Sequence, residues 1–381
     1  MRRDRIAAIV GIAESDIGVT PDKTVLQLQA QAAVRALTDA GLHTRDVQAL
    51  FCAGAWTTWT NLMLAEYLGI QPIYTDSTNI GGSSFEAHVG HAVAGIQAGL
   101  FEVALIVYGS TQRSQRLRGK VPGEVGLTEQ YEAPFGLPVP VGAYAMAAMR
   151  HMYEYGTRSE QLAEVAVAAR QWAMQNPRAF ARDPLSVEDV LASRMICEPL
   201  HLYDCCLVTD GGGAIVVTSE RVARQCRHKP IWVLGHAETH THHTLLSMPD
   251  VTSTGAAVTG PRAMAMAGIR HDDVDVAEIY DSFTITVIVT LEALGFCHQG
   301  EGGAFVSGGR IAPGGSFPMN TNGGGLSYCH PGMYGIFLLI EAALQLRGDA
   351  GMRQVPNAQI ALVHGTGVQL SSSATVVLGR D

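Results

Sequence analysis

The sequence repeats itself, and this repeat constrains the possible folds more than any other feature. The segment VGIAES from Val10 matches LGHAET from Leu234, and AGLHTRDV matches AGIRHDDV farther along. Two more pairs of similar segments follow in the same order. Because chance similarity would not keep this order, the matches predict two homologous halves. We place them at residues 1–225 and 226–381.

The two halves share one order of predicted elements. Each opens with a strand, followed by an alanine-rich helix and a second strand. A glycine-rich turn then leads into a mostly apolar helix, and a buried strand closes the unit. Strands alternating with helices predict an α/β fold with mixed sheets covered by helices on both faces. The first half carries an insertion at about residues 111–200.

Composition narrows the class of protein. The net charge of −9 argues against a nucleic acid or an anionic membrane surface as partner. No segment approaches the roughly 18 apolar residues of a membrane span. The seven cysteines show no CxxC spacing, which favours a reduced, cytoplasmic protein without a structural zinc site. Only 16% of the residues are charged, which indicates a surface partly covered by partner chains.

Two polar clusters allow more than one interpretation. The segment RSQRLRGK, from Arg113 to Lys120, is either a solvated loop or a binding site for the phosphates of a nucleotide-like handle. The histidine-rich segment HAETHTHH, from His236 to His243, lacks the HExxH spacing of a zinc site. We therefore interpret it as a surface loop and predict no metal.

Three longer segments carry a resemblance to the thiolase superfamily that extends over the whole chain. They are NGGGLSYCHPG from Asn322, EPLHLYDCCLVTDGGGAIVVTS from Glu198, and EIYDSFT from Glu278. The resemblance implies a five-layered αβαβα fold built from the two halves and a dimeric protein. It also implies an acyl-CoA substrate whose thioester lies where the halves meet.

This chain departs from the thiolase pattern at the positions of both nucleophilic cysteines. Gly82 stands where a thiolase has its nucleophilic cysteine, with Ser83 beside it, and His364 stands at the second cysteine. His330 is the thiolase site residue that remains in register. Asp281 is assigned to the asparagine of the thiolase N-E-A-F segment. Neither of the two positions that hold a thiol in thiolases therefore has a cysteine here. A serine is a weak nucleophile unless a base activates it.

A thiolase-like chain without these cysteines resembles the lipid-transfer-protein-type aldolases of steroid side-chain degradation. The resemblance implies retro-aldol cleavage of a β-hydroxyacyl-CoA, such as a 17-hydroxy steroid side-chain thioester, to a ketone and a short acyl-CoA. It also implies a homodimer core joined by a small OB-fold, zinc-ribbon partner in a heterotetramer. Coenzyme A then enters only as part of the substrate, and no cofactor is expected on this chain.

Retro-aldol chemistry needs a base for the β-hydroxyl proton and a donor to the enolate oxygen. The resemblance implies tyrosines in place of the thiolase cysteines, and His330 is our candidate for the donor. The predicted catalytic residues are Tyr280, Tyr328, His330 and Asp281. The predicted substrate-binding residues are Gly82, Ser83, Gly324 and His364. Each of the polar ones also has a purely structural interpretation, as a packing, capping or backbone-bonded side chain.

Two other functions stay open on the sequence. One is a thiolase-type acyltransferase that uses Cys329 or Ser83 as the nucleophile. The other is an acyl-CoA- or lipid-binding protein without catalytic activity. Free CoA distinguishes the first from an aldolase, because thiolysis consumes free CoA and retro-aldol cleavage does not.

Overall fold

The computed structural model describes residues 5–54, 59–115 and 126–381. The strands are β1 (Ala7–Glu14), β2 (Ala49–Cys52), β3 (Tyr74–Asp76), β4 (Val103–Ser110), β5 (Met195–Cys197), β6 (Leu200–His201), β7 (Gly211–Ser219), β8 (Ile231–His240), β9 (Val276–Ile279), β10 (Ile360–Gly367) and β11 (Ser372–Gly379). The helices are α1 (Val25–Ala40), α2 (Thr60–Leu68), α3 (Ser84–Gln97), α4 (Leu127–Tyr131), α5 (Val141–Tyr155), α6 (Ser159–Met174), α7 (Val187–Ala192), α8 (Glu220–Ala223), α9 (Ala256–Ala267), α10 (Thr284–Leu294), α11 (Gly302–Val306) and α12 (Gly335–Arg347). A π-helical segment covers Gly324–Tyr328.

The strand order repeats between the two halves of the chain. The large sheet has the order β3-β2-β4-β7-β1-β8-β11-β10-β9. The run β2-β4-β7-β1 matches β9-β10-β11-β8, with one parallel and two antiparallel pairings in each. The two runs join through only two residue pairs of β1 and β8. Two similar halves are thus confirmed, whereas the boundary at residues 225 and 226 stays a prediction.

Five layers result from the way the helices cover these strands. Helices α3 and α12 lie between the two half-sheets and contact strands of both. Helix α1 covers the outer face of β1, β4 and β7, while α9 covers β8 and β11 and packs against α10. Alternate residues of β4 follow this division, because Ile106 packs into the central core and Leu105 into the core beneath α1. The predicted αβαβα architecture is therefore confirmed.

The insertion between β4 and β7 forms α4–α7 and the β5–β6 hairpin. Helix α5 packs against β5 and α10, and α6 packs against α10 and the π-helical segment. The insertion thus lies against the second half of the chain, beside the loops that follow β9 and precede α12. This placement brings insertion residues to the candidate site.

A buried carboxylic acid lies in the central layer, on α3. Glu86 is fully buried, and neither carboxylate oxygen has a hydrogen-bond partner elsewhere among the described residues. The acid lies against Gly335 and Gly365, where an added Cβ would come within 2.3 and 2.4 Å of its Oε2. Burial raises the pKa of Glu86 to about 8, so the acid is mostly protonated at neutral pH.

This acid predicts a pH dependence of stability. Its folded-state pKa lies above the ordinary value of 4.5, so the folded protein binds a proton more tightly than the unfolded chain does. Its contribution to stability is full below pH 4.5 and is lost as the pH rises through about 8. We expect Glu86→Gln to show a shallower fall in melting temperature than the parent over this range. Parallel melting curves would show that Glu86 does not titrate there.

Candidate active site

A cavity of about 650 Å³ opens where α3, β9, β10 and the loop before α12 meet. Three of the predicted site residues, Gly82, Tyr280 and His330, lie together in its wall. Tyr280 directly follows β9, which runs parallel to β10, and its backbone N–H donates to the carbonyl of His364 at 2.9 Å. The site therefore lies at the carboxyl ends of parallel strands, where ligands of α/β sheets commonly bind.

Tyr280 and His330 form a buried hydrogen-bonded pair. Tyr280 Oη lies 3.0 Å from His330 Nε2 and also accepts the backbone N–H of Tyr334 at 3.0 Å. Burial lowers the pKa of His330 to about 4, so its imidazole is neutral at pH 7. Burial also raises the pKa of Tyr280 well above its usual value. The phenol thus keeps its proton at rest and can donate it to the neutral imidazole.

The backbone of His330 is held in place independently of its ring. Its N–H donates to Thr209 Oγ1 at 3.0 Å, and its carbonyl accepts the N–H of Thr209 at 3.2 Å. The ring itself lies edge-on to Tyr280, with centroids 5.7 Å apart. These contacts fix the ring while leaving Nε2 directed at the phenol.

Asp281, which was predicted to be catalytic, does not line the cavity although it directly follows Tyr280. Its carboxylate accepts the backbone N–H groups of Gly325 at 2.6 Å and Leu326 at 3.2 Å. Gly324 makes room for this contact, because an added Cβ would lie 2.0 Å from Asp281 Oδ2. Burial raises the pKa of Asp281 to about 7. Asp281 and Gly324 therefore shape the glycine-rich turn, and it is Tyr280 whose side chain reaches the cavity.

Tyr328 is separate from the cavity. Its hydroxyl donates to Glu14, which also pairs with Arg178 at 2.6 Å. Burial raises the pKa of Glu14, although Arg178 and Tyr328 both act to lower it. The two tyrosines predicted for catalysis thus belong to different hydrogen-bond networks, and only Tyr280 lies in the cavity wall.

This separation predicts that Tyr328→Phe affects stability more than catalysis. The change removes a buried donor to a carboxylate, which should lower the free energy of unfolding by about 1–3 kcal/mol. We expect kcat to stay within about threefold of the parent, a change of less than about 1 kcal/mol in the activation free energy. Urea unfolding and steady-state kinetics of one preparation measure both quantities. A large loss of kcat with an unchanged unfolding curve would restore Tyr328 as a catalytic residue.

Ser83 and His364 also lie outside the cavity wall. Ser83 Oγ lies 2.7 Å from Ser372 Oγ, which joins the start of α3 to β11. His364 Nδ1 lies 2.8 Å from Thr375 Oγ1, which joins β10 to β11. Burial lowers the pKa of His364 to about 3. Of the four predicted substrate-binding residues, only Gly82 reaches the cavity.

No thiol at the site is poised as a nucleophile within the described part of the chain. Cys329 is fully buried and does not line the cavity, and burial raises its pKa well above the usual value. Cys206 does line the cavity, but burial raises its pKa as well. The thiolate, and not the thiol, is the reactive form of cysteine. Both groups are therefore poor candidates for carrying an acyl group.

The structure adds cavity residues that sequence reasoning missed. Tyr144 comes from α5 of the insertion, and its hydroxyl donates to the carbonyl of Val368 at 3.1 Å. Its ring packs on Phe283, with centroids 4.4 Å apart. His243 also lines the cavity. The sequence offered a signal only for His243, in the histidine-rich segment that we interpreted as a surface loop.

A larger apolar groove of about 790 Å³ lies on the other side of residues 137–144. It is lined mainly by apolar side chains of residues 131–138, of α5 and of residues 245–251. None of the predicted site residues lines it. The smaller cavity, which contains the Tyr280–His330 pair, is therefore the candidate active site.

The remaining sequence expectations concern phosphates, metals and membranes. Arg113 uses its guanidinium within the chain, donating to the carbonyl of Val208 at 3.0 Å, whereas residues 116–120 lie outside the described residues. The described ranges contain no group of three or more histidine, cysteine or acidic side chains arranged to hold a metal ion. In the same ranges, no helix has the length and apolar character needed to cross a membrane.

The chain is similar to known proteins whose names specify two different reactions. Residues 237–380 match the family described as "Thiolase C-terminal domain-like". The 17-hydroxy-3-oxo-4-pregnene-20-carboxyl-CoA lyase of Mycobacterium tuberculosis is 35% identical, over 96% of this chain and 97% of its own. An acetyl-CoA acetyltransferase of Methanothermobacter thermautotrophicus is 31% identical, over 99% of this chain and 100% of its own. Overall identity therefore separates the two chemistries only weakly.

A solved structure described as "Ltp2-ChsH2(DUF35) aldolase" is similar throughout the chain. Its matching chain superposes with a TM-score of 0.91 and is 33% identical. The alignment covers 99% of this chain and 98% of the other. That description joins two names, Ltp2 and ChsH2(DUF35), with the word aldolase.

Proposed function

The chain belongs to the thiolase superfamily, and on that premise we propose that it is an aldolase acting on acyl-CoA thioesters. It cleaves a β-hydroxyacyl-CoA to a ketone and a short acyl-CoA. The observation that carries this proposal is the cavity itself, which presents the Tyr280–His330 pair and has a glycine at position 82. A proton-transfer pair without an ionised thiol suits a retro-aldol reaction, which needs no covalent intermediate.

The Tyr280–His330 pair supplies a path along which a proton leaves the substrate and later returns to the product. Tyr280 Oη takes the proton of the β-hydroxyl while its own proton passes to His330 Nε2, so a free phenolate does not accumulate. The Cα–Cβ bond then breaks, its electron pair forms the thioester enolate, and the β-carbon becomes the ketone. The proton returns from His330 through Tyr280 to the enolate carbon. The proton removed from the substrate is thus balanced by the one given back, and no free CoA is consumed.

The roles of the individual residues follow from this path. Tyr280 touches the substrate hydroxyl, His330 holds the transferred proton, and the backbone N–H of Tyr334 fixes the phenol oxygen. His330 was expected to donate to the enolate oxygen, and in this proposal the same imidazole can do so once it carries the proton. Asp281 acts at a distance, by holding the turn that precedes His330.

For the substrate we propose a bulky β-hydroxyacyl-CoA, with a 17-hydroxy steroid side-chain thioester as the first candidate. The support is the lyase of Mycobacterium tuberculosis, whose name specifies such a thioester and which is similar along almost its whole length. The 33% identity to a solved aldolase agrees with this reaction class. The acyltransferase alternative draws support from the acetyltransferase relative. Among the described residues, however, Cys206 is the only thiol in the cavity wall, and burial raises its pKa.

A comparison of two substrates tests the proposed reaction. The enzyme is incubated with a 17-hydroxy steroid side-chain CoA thioester, and separately with a 3-ketoacyl-CoA plus free CoA. We expect a ketone and a short acyl-CoA from the first mixture and no cleavage in the second. Thiolysis of the ketoacyl thioester without cleavage of the hydroxyacyl thioester would favour the acyltransferase.

We also propose a homodimer core that binds a small OB-fold, zinc-ribbon chain to form a heterotetramer in the cytoplasm. The similar solved aldolase, whose description joins two protein names, supports a second chain. Large exposed apolar side chains such as Phe135 and Tyr153, at 88% and 85% exposure, agree with covered surfaces. The seven free cysteines agree with a reducing compartment.

Light scattering of the purified chain tests the assembly. We expect a particle of at least twice the 40.5 kDa chain mass at micromolar concentration. Addition of the small zinc-ribbon chain should increase the mass by two copies per dimer. A monomer of 40.5 kDa with full activity would contradict the proposed dimer core.

A further inference from the structure

We propose that Gly82 is a positioning residue for Tyr280, because the side chain missing at position 82 is the space that the Tyr280 ring occupies. The catalytic consequence of this inference rests on the proposed function, whereas the steric conflict between the two groups follows from the distances alone. It changes the role expected for Gly82 from substrate binding to placement of the phenol.

The distances leave no room for both groups. A Cβ added at Gly82 would lie 2.2 Å from Tyr280 Cε2 and 2.6 Å from Tyr280 Cζ. It would also lie 2.6 Å from the carbonyl oxygen of Thr366. Non-bonded carbon atoms attract best at about 3.5–4.0 Å, so contacts this short require one group to move. The ring atoms nearest to position 82 include the carbon that bears the hydroxyl, so a displaced ring takes the hydroxyl with it.

The ring has little freedom to move aside. Tyr280 is only 4% exposed and packs edge-on against His330 and Tyr334, with centroids 5.7 and 5.8 Å away. Its hydroxyl also accepts the backbone N–H of Tyr334. Any shift that frees position 82 therefore breaks the hydrogen bonds that place the phenol.

The start of α3 is equally unable to retreat. Gly81 has a φ of +78°, and a Cβ there would lie 2.8 Å from the Cα of Gly367. The two backbones thus approach as closely as glycine allows. Because neither the helix start nor the ring can yield, a side chain at position 82 and an aromatic ring at position 280 exclude each other.

This steric exclusion means that the residues at positions 82 and 280 together determine which reaction the site can catalyse. A nucleophilic side chain at position 82 would displace the phenol that moves the proton. Conversely, an aromatic ring at position 280 prevents a thiol from occupying the helix start. Conversion between acyl transfer and retro-aldol cleavage in this scaffold thus requires both positions to change together.

A cycle of variants tests the proposal by thermal melting, which needs no substrate. We expect Gly82→Ala to lower the melting temperature clearly in the parent and in Tyr280→Phe, because the ring is present in both. In Tyr280→Ala the ring is gone, so Gly82→Ala should cost markedly less, with only the Thr366 carbonyl contact remaining. An equal loss in all three backgrounds would overturn the proposal.

Kinetics of the same variants separate positioning from general damage. We expect Gly82→Ala to lower kcat by about 100-fold, as for a catalytic group displaced by about 1 Å. In the Tyr280→Phe background, the same change should lower kcat no further, since the hydroxyl is already absent. A parent-like kcat for Gly82→Ala, or a further loss in the phenylalanine background, would contradict the proposed role.

Gly95→Ala is the matched control. Gly95 lies on the same helix, and a Cβ there would come within 2.4 Å of the Phe101 ring, away from the cavity. We expect this change to lower the melting temperature while the folded enzyme keeps its kcat. A loss of kcat in the control as large as in Gly82→Ala would show that steric damage anywhere in α3 explains the effect.

Discussion

Tyr280→Phe is expected to lower kcat by about 10²–10⁴, the usual contribution of general acid–base catalysis. The change removes the hydroxyl that lies 3.0 Å from His330 Nε2 and keeps the ring that packs against His330 and Tyr334. KM should move far less, because substrate binding rests mainly on the CoA handle and the apolar body of the substrate. Steady-state cleavage of a β-hydroxyacyl-CoA measures both constants, with thermal melting as the check on folding.

Tyr144→Phe provides a control for this result. Tyr144 also lines the cavity, but its hydroxyl donates to the carbonyl of Val368 and not to His330. We expect its kcat to fall by less than about tenfold, or 1.4 kcal/mol. If Tyr280→Phe melts like the parent and turns over at its rate, the proton path through Tyr280 is excluded.

His330→Ala should have the second largest effect, a fall in kcat of about 10²–10³. The neutral imidazole accepts the proton of Tyr280 and, once protonated, can donate to the enolate oxygen. Alanine leaves a space beside the phenol, so free imidazole added to the assay should restore part of the lost rate. The same addition should not restore Tyr280→Phe, which keeps its histidine.

The rescue experiment separates chemistry from packing. A purely structural loss at His330 would lower the melting temperature, and imidazole would not restore kcat. A parent-like kcat for His330→Ala would exclude the histidine from the proton path. The mechanism would then need another acceptor for the phenol proton.

The internal repeat predicted two similar halves because each repeat unit imposes the same order of strands and helices, and the resemblance to thiolases implied their five layers. The β2-β4-β7-β1 and β9-β10-β11-β8 runs follow directly from the repeat. Gly82, Tyr280 and His330 were predicted as site residues from the resemblance to thiolases, which implies a thioester where the two halves meet. Their meeting in one cavity agrees with that expectation, while their catalytic roles stay predictions.

Neighbouring residues were harder to assign, because the direction of a side chain depends on local backbone geometry. Asp281 follows Tyr280 directly, yet its carboxylate binds the glycine-rich turn while the phenol enters the cavity. Tyr328 precedes His330 by two residues, but it ends a π-helical segment and bonds to Glu14 on β1. Neither outcome could be read from spacing along the chain.

Tyr144 shows a different limit of the sequence. It belongs to the insertion, which has no counterpart in the second half. No residue of the second half therefore corresponds to Tyr144 and could indicate its position. Its place in the cavity depends on how α5 packs against α10. Contacts between distant segments of this kind become visible only in the folded chain.

A single turnover without free CoA tests the central claim most directly. Enzyme is mixed in excess with a β-hydroxyacyl-CoA, and the ketone, the acyl-CoA and the intact mass of the protein are measured together. We expect equal amounts of ketone and acyl-CoA and an unchanged protein mass, because the Tyr280–His330 pair moves a proton and no side chain carries the acyl group. An acyl adduct on Cys206, Cys329 or Ser83, or product formation only after free CoA is added, would contradict the retro-aldol account.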